Sequence, residues 1–251
     1  TSVILNIDCD HLDYFKTMDN LRLSFTKFCN LTTERLVYNG DDENTLIAVN
    51  NSDFKGSRVT FGLSHSNDYY VDNVQQISDF HTQFDLYRRG EKVDRISIHV
   101  PGAHNVLNAL AACATALENG CKKESLNKGL SDFFGAVRRF ERIAEVGGIT
   151  IVDDYAHHPT EVKTLLETAK KMNFRRVWAL HQPFTYSRTA TLLDEFAEAL
   201  SLADTVVLAD IYSASREKDP GDISSADIMK LIKEKGNNGF SSRTQGKITG
   251  I

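Results

Sequence analysis

The sequence predicts an α/β fold in two parts: a β-rich first part, then a Rossmann-like parallel layer. Three observations carry this expectation. Residues 148–234 alternate short apolar runs with amphipathic runs three times in succession, the pattern of parallel strands covered by helices. Residues 34–100 hold short β-branched or aromatic runs separated by Asn, Asp and Gly, the pattern of a hairpin-built sheet. Between them lies a long apolar helical stretch. The expected division is residues 1–135 and residues 136–251.

Taken in order, "SVILNI" is a buried strand, and a helix follows with Leu21, Phe25 and Phe28 on one face, spaced as helical neighbours. "RLVYNG", "TLIAVN", "SRVTFGL", "DYYVDNV" and "QFDLYRRGEKVDRISIHV" are expected to be strands of an antiparallel or mixed sheet, with "RRGEK" as a turn. Pro101-Gly102 breaks the last of these. Val106, Leu107, Leu110, Ala111, Ala114 and Leu117 then form one apolar helix face that Gly120 ends, and a second helix covers about 123–134. From residue 148 the units are "GITIVDD" with "PTEVKTLLETAKKM", "RVWALHQ" with "ATLLDEFAEALSLA", and "TVVLADIY" with "SADIMKLIKEKG". In such sheets ligands bind at the carboxyl ends of strands. Polar clusters follow apolar strands at Asp8–Asp13, Asp153–His158, Gln182–Arg188 and Asp210–Lys218.

Composition narrows the function classes. With 41% hydrophobic and 25% charged residues the chain is of ordinary globular type. A net charge of −5, with both signs mixed along the chain, argues against a nucleic-acid stripe or a polybasic membrane patch. No apolar run approaches the ~18 residues that would span a bilayer, and the first residues lack the basic region of a secretory signal. Cys9, Cys29, Cys113 and Cys121 form no C-x-x-C pair, so reduced thiols and a cytoplasmic location are expected.

Each polar cluster admits more than one chemistry. In "DDYAHHPTEV", Pro159 suits a first helical position and Glu161 suits the first turn. Two aspartates and two histidines exceed what a cap needs. Adjacent imidazoles diverge and rarely hold one ion together, whereas short acids and imidazoles suit ribose hydroxyls and phosphates. In "GAHNVLNALAA", Asn105 and Asn108 share a helix face. An amide suits adenine, which presents a donor and an acceptor side by side, though Asn and His are also ordinary helix-start residues. The pair Arg138-Arg139 can neutralise a transferring phosphoryl group or sit solvated. In "NIDCDHLDYF", His11 among carboxylates can help hold a divalent ion, or the segment is a polar loop in which Asp13 caps the next helix. In "HQPFTYSRT", Arg188 after a strand end can clamp a carboxylate or form a surface ion pair.

The order of these motifs is specific. NIDCDHLDYF, PGAHNVLNALAA, GAVRRFE, VDDYAHHPTEV, QPFTYSRT and DIYSASREKDPGDIS resemble the Mur ligase family from residue 3 to about 235, its alanine-adding member above all. The resemblance implies a three-domain cytoplasmic enzyme of peptidoglycan synthesis. The chain would hold the remainder of a P-loop-type ATPase domain and a truncated Rossmann-like ligase domain. Such enzymes use ATP and Mg²⁺ to convert the carboxylate of UDP-N-acetylmuramate to an acyl phosphate, which the amine of L-alanine attacks. By motif match, His11 resembles the magnesium-ligating histidine, with Asp10 beside it. His104, Asn105 and Asn108 resemble the adenine-binding group. Arg139 resembles the arginine near the terminal phosphate, with Arg138 its neighbour. Asp154 and His157 resemble the ribose- and nucleotide-side contacts, and Tyr186 and Arg188 fall in the segment that meets the amino acid. His11, Arg139 and Arg188 are thus the expected catalytic residues.

Departures accompany the resemblance. No G-x-x-x-x-G-K-[ST] loop occurs. The family's acidic magnesium ligand, its UDP-sugar domain and the last strand and helix have no counterpart. Phe184 stands where the family carries His, and the segment before Arg216 is one residue longer. Both ends are expected to be internal to a longer protein, and this chain by itself is expected not to turn over. Three alternatives stay open: a metal-dependent hydrolase using His11, His157 and His158, a non-catalytic nucleotide-binding module, and a sister ligase that recycles muramyl tripeptide.

Overall fold

In a computed structural model, residues 1–10, 12–213 and 217–241 are described; His11 and Arg216 lie outside them. The chain divides into two compact units, Thr1–Gly135 and Ala136–Ile251.

In the first unit the elements are β1 (Ser2–Ile4), α1 (Leu12–Phe15), α2 (Met18–Leu31), β2 (Arg35–Asn39), α3 (Glu43–Asn50), β3 (Ser57–Phe61), β4 (Tyr69–Ser78), β5 (His81–Arg88), β6 (Glu91–Ile98), α4 (Ala103–Glu118) and α5 (Glu124–Ser131). One six-stranded sheet runs in the order β1-β2-β3-β4-β5-β6. The pairs from β1 to β4 are parallel and those from β4 to β6 antiparallel. Strand β2 is buried on both faces, as a central parallel strand must be. Val37 packs with α4 and the later strands, while Leu36 and Tyr38 pack with α2 and α3. The period-2 alternation of one strand therefore divides two hydrophobic clusters.

"TLIAVN", expected as a strand, is helix α3. The cause is local: Asp42 is its N-cap and accepts from Thr45 N at 2.7 Å, with Glu43 in the first turn. Its helical crossover also permits β2 and β3 to be parallel. The N-cap of α2 is Thr17, which accepts from Asn20 N at 3.2 Å; the Asp13 side chain lies outside what is described.

The second unit contains β7 (Glu141–Val146), β8 (Ile149–Asp153), α6 (Pro159–Lys171), β9 (Trp178–His181), α7 (Tyr186–Thr191), α8 (Leu193–Leu200), β10 (Thr205–Leu208), α9 (Ser225–Glu234) and β11 (Asn238–Ser241). The parallel sheet is β11-β10-β9, and β7-β8 is a separate hairpin. "GITIVDD" thus forms its strand but pairs with β7, which was not anticipated. The turn between Val146 and Ile149 is Gly147-Gly148, with φ of 59° and 78°. Two consecutive left-handed residues are what a two-residue hairpin turn demands, and glycine supplies them without a Cβ clash. The helix expected over 190–203 is split at Leu192 into α7 and α8. Apolar residues of α6, α8 and α9 meet Val206 and Leu208 in one cluster.

Two predictions follow from the core of the first unit. Phe84 is fully buried in the α4-side cluster, so Phe84→Ala should cost about 3–5 kcal/mol, read as a lowered denaturant midpoint at unchanged slope. Asp85, 4% exposed, accepts from Asn73 Nδ2 at 2.8 Å, Arg95 Nη1 at 2.8 Å and Lys92 Nζ at 2.9 Å. These hydrogen bonds, Asn73's first, hold its carboxyl well below the usual range. A depressed carboxylate stabilises the fold above its unfolded pKa of about 4, and that contribution disappears as pH falls below it. The stability gap between wild type and Asp85→Asn should therefore shrink from neutral pH toward pH ~3, as followed by urea unfolding.

Candidate functional site

At the head of α4, Gly102 takes φ 97° and serves as N-cap. Asn105 Nδ2 donates to Pro101 O at 2.7 Å, and Asn108 Nδ2 donates to Asn105 Oδ1 at 3.1 Å. The two amides are therefore oriented in series, with Asn108 and His104 exposed. Near β1, Cys9 N donates to Asp8 Oδ1 at 2.7 Å and Asp10 N to Asp8 O at 2.9 Å. The neighbouring His11 is outside the described residues.

The tips of β2 and β3 hold an acidic cluster that sequence reasoning did not single out. Asp41 Oδ2 accepts from Leu63 N at 2.5 Å and Ser64 N at 3.1 Å, and its Oδ1 accepts from Asn67 Nδ2 at 2.8 Å. Asp42 Oδ2 also accepts from Ile7 N at 3.2 Å, tying the β1 end to α3. A Cβ on Gly62 would lie 2.4 Å from Asp41 Oδ2, and one on Gly40 would lie 2.0 Å from Asn67 Oδ1. A side chain at either glycine would push Asp41 or Asn67 out of these contacts. The "NGDD" run after an apolar strand was the available signal.

In the second unit, the structure brings Arg138, Arg139, Asp154 and His157 into one network. Arg138 and Phe140 both adopt left-handed backbone, with φ of 58° and 47°, at about 1–3 kcal/mol each. Carboxylates hold that turn. Phe140 N donates to Asp154 Oδ2 and Ala156 N to Asp154 Oδ1, each at 2.7 Å, while Arg138 N donates to Glu141 Oε2 at 2.7 Å. Arg138 Nε donates to Asp153 Oδ2 at 3.1 Å, and its guanidinium lies 4.8 Å from the centre of the Tyr155 ring. Arg139 is held more loosely, its Nη1 3.7 Å from Glu161 Oε1 and its side chain 56% exposed.

Glu161 completes the start of α6. Its Oε2 accepts from His157 N at 3.0 Å and His158 N at 3.3 Å, while His158 Nδ1 accepts from Thr160 N at 3.3 Å. Pro159 and Glu161 thus take the cap positions that their chemistry suggested. The two histidines differ in tautomer. His157 Nδ1 lies 2.8 Å from Tyr155 O, which can only accept, so that nitrogen carries the proton. In His158 the Nδ1 accepts, and its Nε2 is buried. They do not converge on one ion. Among the described residues no group of three His, Cys, Asp or Glu side chains is placed to hold a metal.

Beyond β9, Tyr186 and Arg188 sit on α7, and Glu217 holds the start of that helix. Its Oε2 accepts from Tyr186 N at 2.8 Å and Ser187 N at 3.1 Å, and its Oε1 accepts from Ser187 Oγ. The Ser187 hydroxyl, with Arg188's charge in support, lowers the Glu217 pKa. Burial and then Asp219 raise that of Tyr186. His181, at the end of β9, has its pKa pushed down to about 4 by burial and by the nearby charge of His157. It is therefore neutral at neutral pH. Phe184 forms a bridge to Tyr212 and lies 6.3 Å from its ring, which packs the position rather than offering an imidazole. The roles of Glu217 and Asp41 were not legible because their partners are main-chain groups distant in sequence.

Comparison with known proteins bears on the whole arrangement. Residues 1–116 match the Mur ligase middle domain, and residues 138–247 match the Mur ligase glutamate ligase domain. A UDP-N-acetylmuramate–L-alanine ligase of Clostridium novyi is 44% identical over 238 residues, which are 94% of this chain and 51% of that protein. One from Caldanaerobacter subterraneus is 40% identical over 94% of this chain and 51% of its own length. The chain thus spans about half the length of the curated relatives it matches. The crystal structure of a UDP-N-acetylmuramate–alanine ligase from Thermotoga maritima superimposes with a TM-score of 0.75 at 28% identity, covering 96% of this chain and 50% of that one. With a middle-domain match followed by a ligase-domain match, and a relative 44% identical over 94% of the chain, this chain belongs to the Mur ligase family.

Proposed function

We propose that this chain is the part of a UDP-N-acetylmuramate–L-alanine ligase that carries much of its nucleotide- and amino-acid-binding machinery, acting in the cytoplasm. The observation that carries the proposal is 44% identity to such an enzyme across 94% of the chain. The reaction joins a carboxylate of UDP-N-acetylmuramate to the amine of L-alanine. A carboxylate is a poor electrophile, so ATP would supply the phosphoryl group that activates it as an acyl phosphate.

The residues present fit that ligand. Asn105 and Asn108 present pre-oriented amides, suited to the donor and acceptor of adenine. Arg139 is exposed and weakly committed to Glu161, so its guanidinium can turn to phosphate oxygens. Arg138 is consumed in fixing the turn that presents Arg139. Asp154 uses both oxygens on main-chain donors, so its first task is to shape this loop. Any ribose contact would use its remaining lone pairs. His157, with Nδ1 donating to Tyr155 O, presents its Nε2 as an acceptor. Arg188 would pair with the amino-acid carboxylate. Mg²⁺ would be held through His11, as the family resemblance implies.

The test is L-alanine-dependent phosphate release by a chain completed with the unmatched residues of the Clostridium novyi relative. Arg139→Ala and His11→Ala should each reduce turnover by about 100-fold or more. Unchanged turnover would remove the role assigned. Arg188→Ala should raise the KM for L-alanine about 10- to 100-fold, the worth of a charge-assisted hydrogen bond, with less effect on the KM for ATP. Zinc bound stoichiometrically to the purified chain, with no nucleotide requirement, would favour the hydrolase reading instead.

A further inference from the structure

Strand order brings several chain ends together in the first unit. Strands β1 to β4 are parallel, and β4 to β6 alternate in direction. The end of β4, the start of β5, the end of β6 and the head of α4 therefore share the carboxyl end of the parallel strands, where such sheets hold ligands. Three aromatic rings stack there. The register pairs Thr82 with Ile98, so His81 and His99 are the next cross-strand neighbours. Their rings are stacked with centroids 4.6 Å apart, and the Phe134 ring lies 5.4 Å from that of His99. The base of the column is tied down: His81 Nε2 lies 3.4 Å from Ser97 Oγ, which also accepts from Gln83 Nε2 at 3.0 Å. Asn127 Oδ1 accepts from Ser97 N at 2.8 Å. That bond fixes α5 beside β6, and the chain leaving α5 carries Phe134 onto His99.

Phe134 is 76% exposed, so burial explains little of its placement. An aromatic ring seated on a stack and open to solvent is the form in which proteins grip planar bases. Every base has a π-face, and stacking needs no hydrogen-bond match. The head of α4 supplies such a match close by. Asn105 Nδ2 donates to Pro101 O, and two residues of chain, about 7 Å when extended, separate Pro101 from His99. The Asn105–Asn108 amides and the His81–His99–Phe134 column are thus neighbours along the chain at the same end of the sheet. One offers in-plane hydrogen bonds and the other a ring face. We propose that Phe134, backed by His99, is the stacking surface for the purine ring of the bound nucleotide. The inference rests on the nucleotide reading given above and adds to it two residues that lie outside the ordered motifs.

Adenosine is the probe, because it carries the base without phosphates. Trp178 is the sole tryptophan, so a chain with Trp178→Phe and Phe134→Trp reports on this position alone. Adenosine should quench its emission saturably, and ribose 5-phosphate should not. In calorimetric titration of the otherwise unchanged chain, Phe134→Leu should weaken adenosine binding about 10-fold or more, and Phe134→Tyr should retain it. The urea midpoint of each variant should match wild type, since the position is exposed. Adenosine affinity unchanged by Phe134→Leu would overturn the inference. If Asn108→Ala then weakens binding, the nucleotide reading stands without it; if that variant also binds as wild type, the nucleotide reading falls too. A wild-type chain that binds no adenosine at millimolar concentration would remove both.

Discussion

At several places where a strand of this protein gives way to a turn or a helix, main-chain N–H groups lose their ladder partners, and a carboxylate collects them. Asp42 takes Thr45 N and Ile7 N, and Asp41 takes the N–H groups of Leu63 and Ser64. Asp154 takes Phe140 and Ala156, Glu161 takes His157 and His158, and Glu217 takes Tyr186 and Ser187. Buried or half-buried donors left without acceptors would each cost about 1–3 kcal/mol. A carboxylate with two oxygens can satisfy two or more such donors at once, and the ionised form does so best.

The same constraint positions the cationic side chains. Arg138 and Phe140 occupy left-handed backbone that their side chains disfavour. Glu141 and Asp154 stabilise that conformation from either side of Arg139. The consequence is a turn fixed by three carboxylates, Asp153 included, with one arginine spent on the fixing and its neighbour left largely exposed. Charge at this loop is therefore divided by geometry. Arg138 is paired with Asp153 and lies over Tyr155, while Arg139 is more exposed and only loosely paired with Glu161. His181, kept neutral by burial, adds no competing cation at the end of β9.

Several elements were plain in the residues because their causes are local. The helix after Pro159 was legible from Pro159 and Glu161, and both take the capping roles their chemistry allows. The α4 face was legible from its apolar spacing. Other elements were missed for identifiable reasons. "TLIAVN" has the composition of a strand, and the deciding feature was the Asp42 cap just before it. β7 is mostly exposed and polar, so it carries no apolar period; Gly147-Gly148 was the signal for its hairpin. Of the candidate site, Arg138, Arg139, Asp154 and His157 were singled out one by one by motif resemblance; that they share one network was not legible. Nor was the use of both Asp154 oxygens on the backbone, because a sequence does not show which donors lack partners.

What the sequence by itself determined is the alternation of elements, the apolar faces and the family, since periodicity, caps and ordered motifs are properties of neighbouring residues. Only the tertiary structure decided which strands share a sheet, which carboxylates are consumed by main-chain donors, and which of two adjacent arginines stays available. Those outcomes depend on groups far apart along the chain, such as Glu217 with Tyr186 or Asp41 with Ser64. Their separation is set by strand register and crossover, which no local pattern encodes.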